Sequence, residues 1–333
     1  MAPTRRTAMA AMAAATAFGP AAARALTGMD APQDAPDVES APDAPPPIDP
    51  TRLQTLSNLV TRMAVPVHIA GQGPFHFVLD TGATRTTLAR ELADSLGLAP
   101  GPEIIVHGVV TAERAPTVIV PRLDFAQSRM PDLIAPVFPR QRLGVDGLLG
   151  VDVLGEYRLV FDMAGEQVSL LRSPRTAYVQ RMDVDVSRIN RANELYGHRE
   201  YGQLTVTDVA ADGVDVTAFI DSGAQHSIGN MALFNSIAVQ RPAVRDQVWE
   251  TPIIGVTGQV MTGRLAYLRQ LRLGSSRVQD LPVLFADLHA FTVWRLTETP
   301  ALLMGADVLG MFRTVTMDYG RMRMVFGSRL GRR

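Results

Sequence analysis

Phe75-His76-Phe77-Val78-Leu79-Asp80-Thr81-Gly82-Ala83 is an apolar, alternating run that delivers one carboxylate onto a tight glycine turn. The chain repeats it as Val216-Thr217-Ala218-Phe219-Ile220-Asp221-Ser222-Gly223-Ala224. One such triplet is an ordinary strand end with an Asx-type turn. Two copies, each after a strand and each followed by alanine, point to an internal repeat with a site on the axis between two lobes.

The neighbourhoods of the two turns match as well. Val65, Val67 and Ile69 alternate, Gly71-Gln72-Gly73 turns the chain, and Phe75, Phe77 and Leu79 alternate again, which predicts a hairpin ending at Asp80. Leu204–Val209, a turn at Ala211-Asp212-Gly213 and Val214–Ile220 predict its counterpart ending at Asp221. A short helix follows each turn: Leu88, Leu92 and Leu96 have helical spacing closed by Gly97, and Gly229–Ile237 stands in the second half. Short strands near Ile104–Val110 and Thr117–Val120 flank a polar connection, and Ile253-Ile254-Gly255-Val256-Thr257-Gly258 corresponds to His107-Gly108-Val109.

A second signature is also duplicated. Leu148-Leu149-Gly150-Val151-Asp152-Val153-Leu154-Gly155 reappears as Leu303-Met304-Gly305-Ala306-Asp307-Val308-Leu309-Gly310. Seventy residues separate Asp80 from Gly150 and 84 separate Asp221 from Gly305, so the second lobe carries longer loops. Each half closes with a hairpin, Tyr157–Met163 with Gln167–Leu171 around Gly165, and Thr314–Asp318 with Met322–Phe326 around Gly320. Asp152 and Asp307 read as caps of short helices.

Outside the repeats, Arg5 and Arg6 precede an alanine-rich run ending in Ala23-Arg24-Ala25, the pattern of a cleaved export signal over residues 1–25. Thr4-Arg5-Arg6 is similar to a twin-arginine signal. Residues 26–60 form a Pro/Asp/Ala-rich spacer or pro-segment too poor in apolar residues to repay chain ordering. The lobes are expected at 61–172 and 203–333, with an inter-lobe connection at 173–202.

Composition narrows the chemistry. The 333 residues leave room for two cores. The balance of 32 basic and 33 acidic residues gives no reason to expect nucleic acid as a partner, and no stretch is apolar enough for a stable membrane span. There is no cysteine and no lysine, which excludes thiol nucleophiles, disulfides, Schiff bases and a phosphate-loop lysine. The six histidines lack metal-ligand spacing, and no Gly-x-Ser-x-Gly is present.

The two repeated elements resemble the aspartic peptidases, specifically the retropepsin-like group in a single-chain, two-lobed bacterial form. The resemblance covers roughly residues 62–171 and 203–326. It implies an all-β fold of two homologous barrel lobes with a cleft between them, and an aspartic endopeptidase that needs no cofactor and no metal. Asp80 and Asp221 would form the catalytic pair. Thr81, Gly82, Ala83, Ser222, Gly223 and Ala224 would shape the turns, the two hydroxyls bonding across to the opposite lobe. Gly150 and Gly305 would let an apolar strand cross behind each turn. Flaps would be the hairpins carrying Gly108 and Val109, and Gly255, Val256, Gly258 and Gly263.

The chemistry requires such a pair. Two carboxylates roughly 3 Å apart cannot both ionise, so they share a proton and can together deprotonate a water and protonate a carbonyl oxygen. Pepsin-like relatives place Ser or Thr after the glycine. The side chains of Ala83 and Ala224 carry no hydroxyl to hydrogen-bond the carboxylates, which predicts mildly acidic activity. His226, five residues after Asp221, is a candidate to tune the site or simply a packed side chain. The expected partner is a peptide or protein substrate, a monomer suffices for a complete site, and the protein is expected in the periplasm or secreted. The alternative is a non-catalytic peptide-binding or assembly protein that retains the fold.

Overall fold

The computed structural model describes residues 64–126, 128–173, 194–200, 203–255 and 258–330. The export signal, the spacer, most of the inter-lobe connection and Val256 lie outside the described residues.

The first lobe runs β1 (Val65–Ile69), β2 (Gln72–Leu79), β3 (Thr87–Ala89), α1 (Arg90–Ser95), β4 (Ile104–His107), β5 (Ala112–Ala115), β6 (Thr117–Phe125), β7 (Ser128–Phe138), α2 (Arg140–Leu143), β8 (Gly147–Leu149) and α3 (Val151–Leu154). A closing hairpin, β9 (Tyr157–Asp162) and β10 (Gln167–Arg172), follows. Strands β1-β2-β8-β3-β7-β6 close into a barrel, with β1 and β6 paired at Val67 and Phe125. Period-two alternation explains the inside: Val65, Val67 and Ile69 of β1 are buried while Pro66 and His68 face out.

The second lobe repeats this order. After β11 (Glu194–Glu200) come β12 (Gln203–Ala211), β13 (Val214–Ile220), β14 (Ile228–Gly229), α4 (Met231–Gln240), β15 (Trp249–Ile254), β16 (Val260–Leu273) and β17 (Ser276–Phe285). Then follow α5 (His289–Val293), β18 (Ala301–Met304), α6 (Ala306–Leu309), β19 (Thr314–Asp318) and β20 (Arg323–Phe326). Neighbour by neighbour, β12-β13-β18-β14-β17-β16 reproduces the first barrel, and β16 returns to pair with β12. Strand β16 is long because it also carries one arm of the second flap, paired with β15.

In each lobe the strand bearing the aspartate lies parallel to the strand of the second signature. Val78 pairs with Leu148 and Leu79 with Leu149; Phe219 pairs with Leu303 and Ile220 with Met304. The chain then passes so close behind the aspartate loop that only glycine fits. A Cβ on Gly150 would lie 2.4 Å from the carbonyl carbon of Arg85, and one on Gly305 would lie 2.8 Å from the carbonyl oxygen of His226. The next residues, Val151 and Ala306, donate their N–H groups to the carbonyls of Ala83 and Ala224, each at 2.8 Å.

The lobes are joined by backbone. Strand β9 of lobe one pairs along its length with β19 of lobe two, giving the continuous order β10-β9-β19-β20-β11. Ser173, at the end of lobe one, donates to the buried carboxylate of Asp318 at 2.6 Å. Among the described residues, no helix is long and apolar enough to cross a membrane.

Several local expectations are corrected. Leu88 belongs to β3 and the first helix starts at Arg90, because Leu88 is needed to pair with Val137 and Gly147. The second helix starts at Met231, capped by Asn230, whose side chain accepts the Leu233 N–H at 2.9 Å. Residues 194–200, within the expected connection, form β11 and pair with β20 and β12. Gly263, expected in the second flap hairpin, lies inside β16, where a Cβ would press on Ile253 at 2.6 Å.

Because the contacts at Gly150 and Gly305 are with backbone, an added methyl cannot be accommodated by a rotamer change. Gly150→Ala and Gly305→Ala are each expected to destabilise by about 1–3 kcal/mol. Denaturant midpoints at unchanged slope are the measurement.

Candidate active site

The two aspartates stand at the ends of β2 and β13. Asp80 donates its N–H to the Leu149 carbonyl, and Asp221 donates to Met304, both at 2.9 Å, which fixes each loop to the crossing strand. Each turn then folds back on its own carboxylate. Oδ1 of Asp80 accepts the N–H groups of Gly82 and Ala83 at 2.9 and 3.0 Å. Oδ1 of Asp221 accepts those of Gly223 and Ala224 at the same distances.

Four hydrogen bonds lock the turns to each other across the lobe boundary. Thr81 Oγ1 donates to the Ile220 carbonyl at 3.0 Å and accepts the Ser222 N–H at 2.8 Å. Ser222 Oγ donates to the Leu79 carbonyl at 2.7 Å and accepts the Thr81 N–H at 3.1 Å. Each hydroxyl thus uses both its donor and an acceptor site. The turns are also in contact: a Cβ on Gly82 would sit 2.3–2.4 Å from the carboxylate atoms of Asp221.

Asp80 and Asp221 are 0% and 2% exposed. Among the described residues no other residue donates to the second oxygen, Oδ2, of either carboxyl, and the two side chains interact with each other. Both are acceptors when ionised, so a hydrogen bond between them requires a proton. Burial is the main cause that raises Asp80 above the ordinary carboxylate range, against the lowering effect of the Gly82 and Ala83 N–H bonds. Asp221 is raised as well, by burial and then by the charge of Asp80. The two titrate as a pair.

Behind each turn lies a second carboxylate. Asp152 accepts the Thr86 N–H and hydroxyl at 2.9 and 2.8 Å, while Gly150 donates to Thr86 Oγ1 at 3.1 Å. Asp307 does the same for Ser227 at 2.9 and 2.7 Å, with Gly305 donating to Ser227 Oγ at 3.1 Å. The expectation that Asp152 and Asp307 are caps is therefore corrected: the N-caps are Gly150 and Gly305. Each aspartate accepts one N–H of its own helix but chiefly ties the aspartate loop to the crossing strand. Thr86 and Ser227 went unnoticed in the sequence, although a hydroxyl six residues after each Asp is a repeat signal. His226 is packed behind the turn, with Nδ1 4.0 Å from Asp307. Burial lowers its pKa, and the Asp307 charge opposes that.

Both expected flap regions are hairpins. In the first, β4–β5, Gly108 donates its N–H to the Thr111 carbonyl at 2.8 Å, and Val109 is buried in a cluster otherwise built from lobe-two residues that include Phe219, Phe291 and Leu303. In the second, Gly255 and Gln259 are joined at 2.9 Å, and Gly258, at φ 78°, lies against Arg142 of lobe one. Each tip therefore reaches the opposite lobe.

The aspartyl protease family matches the chain twice, over residues 65–153 and 207–308, once in each lobe and over more than half the chain in all. The chain belongs to the aspartyl protease family. No curated protein matches it.

Two stability measurements check this geometry. Thr81→Val keeps the shape but orphans the Ile220 carbonyl and the Ser222 N–H, and should cost about 1–3 kcal/mol for each group left unpaired. The raised dyad has the opposite consequence for its own charge. A folded-state pKa above the unfolded one means stability falls as pH rises from the ordinary carboxylate value, about 4, toward the folded one. Asp221→Asn should therefore raise the melting temperature at pH 7 and lose that advantage near pH 4, where the wild-type pair is already protonated.

Proposed function

We propose that the protein is an endopeptidase in which Asp80 and Asp221 together activate water. The observation that carries this reading is the pair of buried carboxylates, each with one oxygen tied to its own turn and the other answered by no other residue among those described. A water held between them gives its proton to the ionised carboxylate while its oxygen attacks the peptide carbonyl carbon. The protonated carboxyl gives its proton to the carbonyl oxygen, producing a neutral gem-diol. Return of a hydroxyl proton to the dyad, with protonation of the nitrogen, breaks the C–N bond and restores the starting protonation state.

The surroundings support that role for the pair. Backbone N–H groups on both Oδ1 atoms keep one negative charge tolerable at the centre, while burial opposes a second. Gly82 leaves room for the approach of Asp221, and the Thr81–Ser222 bonds hold the lobes in register so that little reorganisation is required at reaction. Two flaps entering from opposite sides suit an extended chain threaded through the cleft, hence internal cleavage. Both halves of the site come from one chain, so a monomer suffices. The N-terminal signal pattern supports action outside the cytoplasm.

The test is a peptide library incubated with protein and analysed by mass spectrometry across pH. Asp80→Asn and Asp221→Asn should each lower kcat/KM by about 10²–10⁴-fold or more while the fold is kept. The alkaline limb of the rate profile should lie well above the ordinary carboxylate range, because both carboxyls are raised. Full activity in either variant would remove the dyad from the mechanism. Saturable peptide binding with no cleavage by the wild type would favour the binding-protein alternative.

A further inference from the structure

The two flaps make unlike contacts with the lobes they reach. Gly258 of the second flap rests against the guanidinium of Arg142, which also pairs with Glu113 of the first flap at 3.7 Å. Arginine stays charged at any working pH, so the guanidinium that meets Gly258 carries the same charge as the medium acidifies. The first flap docks differently. Its Val109 is buried in lobe two, its Val109 carbonyl accepts the Ala290 N–H at 3.4 Å, and His107 meets His289 at the start of α5.

The histidine contact has a definite form. Nδ1 of His107 and Nε2 of His289 are 2.8 Å apart, the ring planes differ by 10°, and the centroids are 5.2 Å apart. The centroid separation exceeds the N···N distance by about a ring width, so the imidazoles lie edge to edge in nearly one plane rather than face to face. That is an in-line N–H···N hydrogen bond. It needs one N–H and one lone pair, so it survives with no added proton or with one, and fails with two.

We propose that the His107–His289 bond is a protonation-controlled latch: it holds the first flap closed on lobe two while either imidazole is neutral and releases it when both are protonated. Two imidazolium rings at this distance have no acceptor between them and repel, leaving the Val109 contact and one long backbone bond to hold the flap. The charged side chains on the elements that meet here are Glu113 and Arg114 on β5, Arg142 on α2, Arg264 on β16, Asp287 before α5 and Arg295 after it. Glu113 faces Arg142 at 3.7 Å and Asp287 Oδ1 accepts the Met231 N–H, and among the described residues no carboxylate lies within ion-pair distance of either imidazole. Partial burial and the neighbouring His107 hold His289 below the ordinary histidine value.

The sign follows. The open flap binds one more proton than the closed one, so acid favours opening, with the open-to-closed ratio rising by up to about tenfold per pH unit below the ordinary histidine value. Taken with the peptidase reading, on which this use of the latch rests, the cleft would admit substrate in the same mildly acidic range where the dyad keeps its proton.

The chain has no cysteine, so spin labels can be placed without background. Ile105→Cys on the flap, 50% exposed, and Val239→Cys on α4, 77% exposed, give one label on the moving element and one on lobe two. Electron–electron distance measurements on the unliganded protein should give one population at pH 7.5 and a second that grows toward pH 5. In His107→Asn and in His289→Gln the distribution should be the same at both pH values. An unchanged distribution in the parent, or the same pH shift surviving in either histidine variant, would overturn the latch. Because no substrate is present, a failure of peptide cleavage leaves this outcome unaffected, and a failed latch leaves the dyad reading standing.

Discussion

Two buried carboxyl groups that face each other, their Oδ2 atoms met by no other donor among the described residues, set the terms for the rest of the molecule. Such a pair is unfavourable in isolation, because burial penalises charge and each group penalises ionisation of the other. It persists because the surrounding backbone is over-determined. Each Oδ1 is held by its own turn, each aspartate N–H is held by the crossing strand, and the two turns are cross-braced through Thr81 and Ser222. Removing any of these would let the pair relax apart, the cheaper state electrostatically.

That constraint explains why the glycines stand where they do. Gly82 is the point where one turn touches the other lobe's carboxylate, so its missing side chain allows the two halves to meet. Gly150 and Gly305 allow the crossing strand to lie directly behind the loop, where Thr86 with Asp152 and Ser227 with Asp307 fasten it. The dyad is thus backed by a shell of hydroxyl–carboxylate pairs, each contributed by segments far apart in sequence. Below the lobes, the β9–β19 pairing makes the junction continuous backbone rather than a soft interface.

Most of this frame was legible in the residues, and the reason is local. Hairpins with period-two alternation, a carboxylate at a strand end and a glycine after it are encoded over ten residues or so, and a repeat doubles the signal. What escaped reading depends on distant partners. Leu88 satisfies helical and strand spacing equally, and its pairing with Val137 decided for the strand. Asp152 looked like a cap because its helix is adjacent, whereas Thr86 is 66 residues away. Val109 reads as a flap residue, and its burial has no local signal because the cluster it joins belongs to the other lobe. The His107–His289 pair, 182 residues apart, has no sequence signal at all.

The central claim is that the two carboxyls hold one proton between them, and it is accessible directly. Carboxyl-¹³C aspartate labelling, with Asp80 and Asp221 assigned through their asparagine variants, follows the titration of each group by NMR. The account predicts that the two resonances move together, in two macroscopic steps, the later one well above the ordinary carboxylate range. Two independent titrations near pH 4, roughly the value for separate solvated carboxyls, would contradict it.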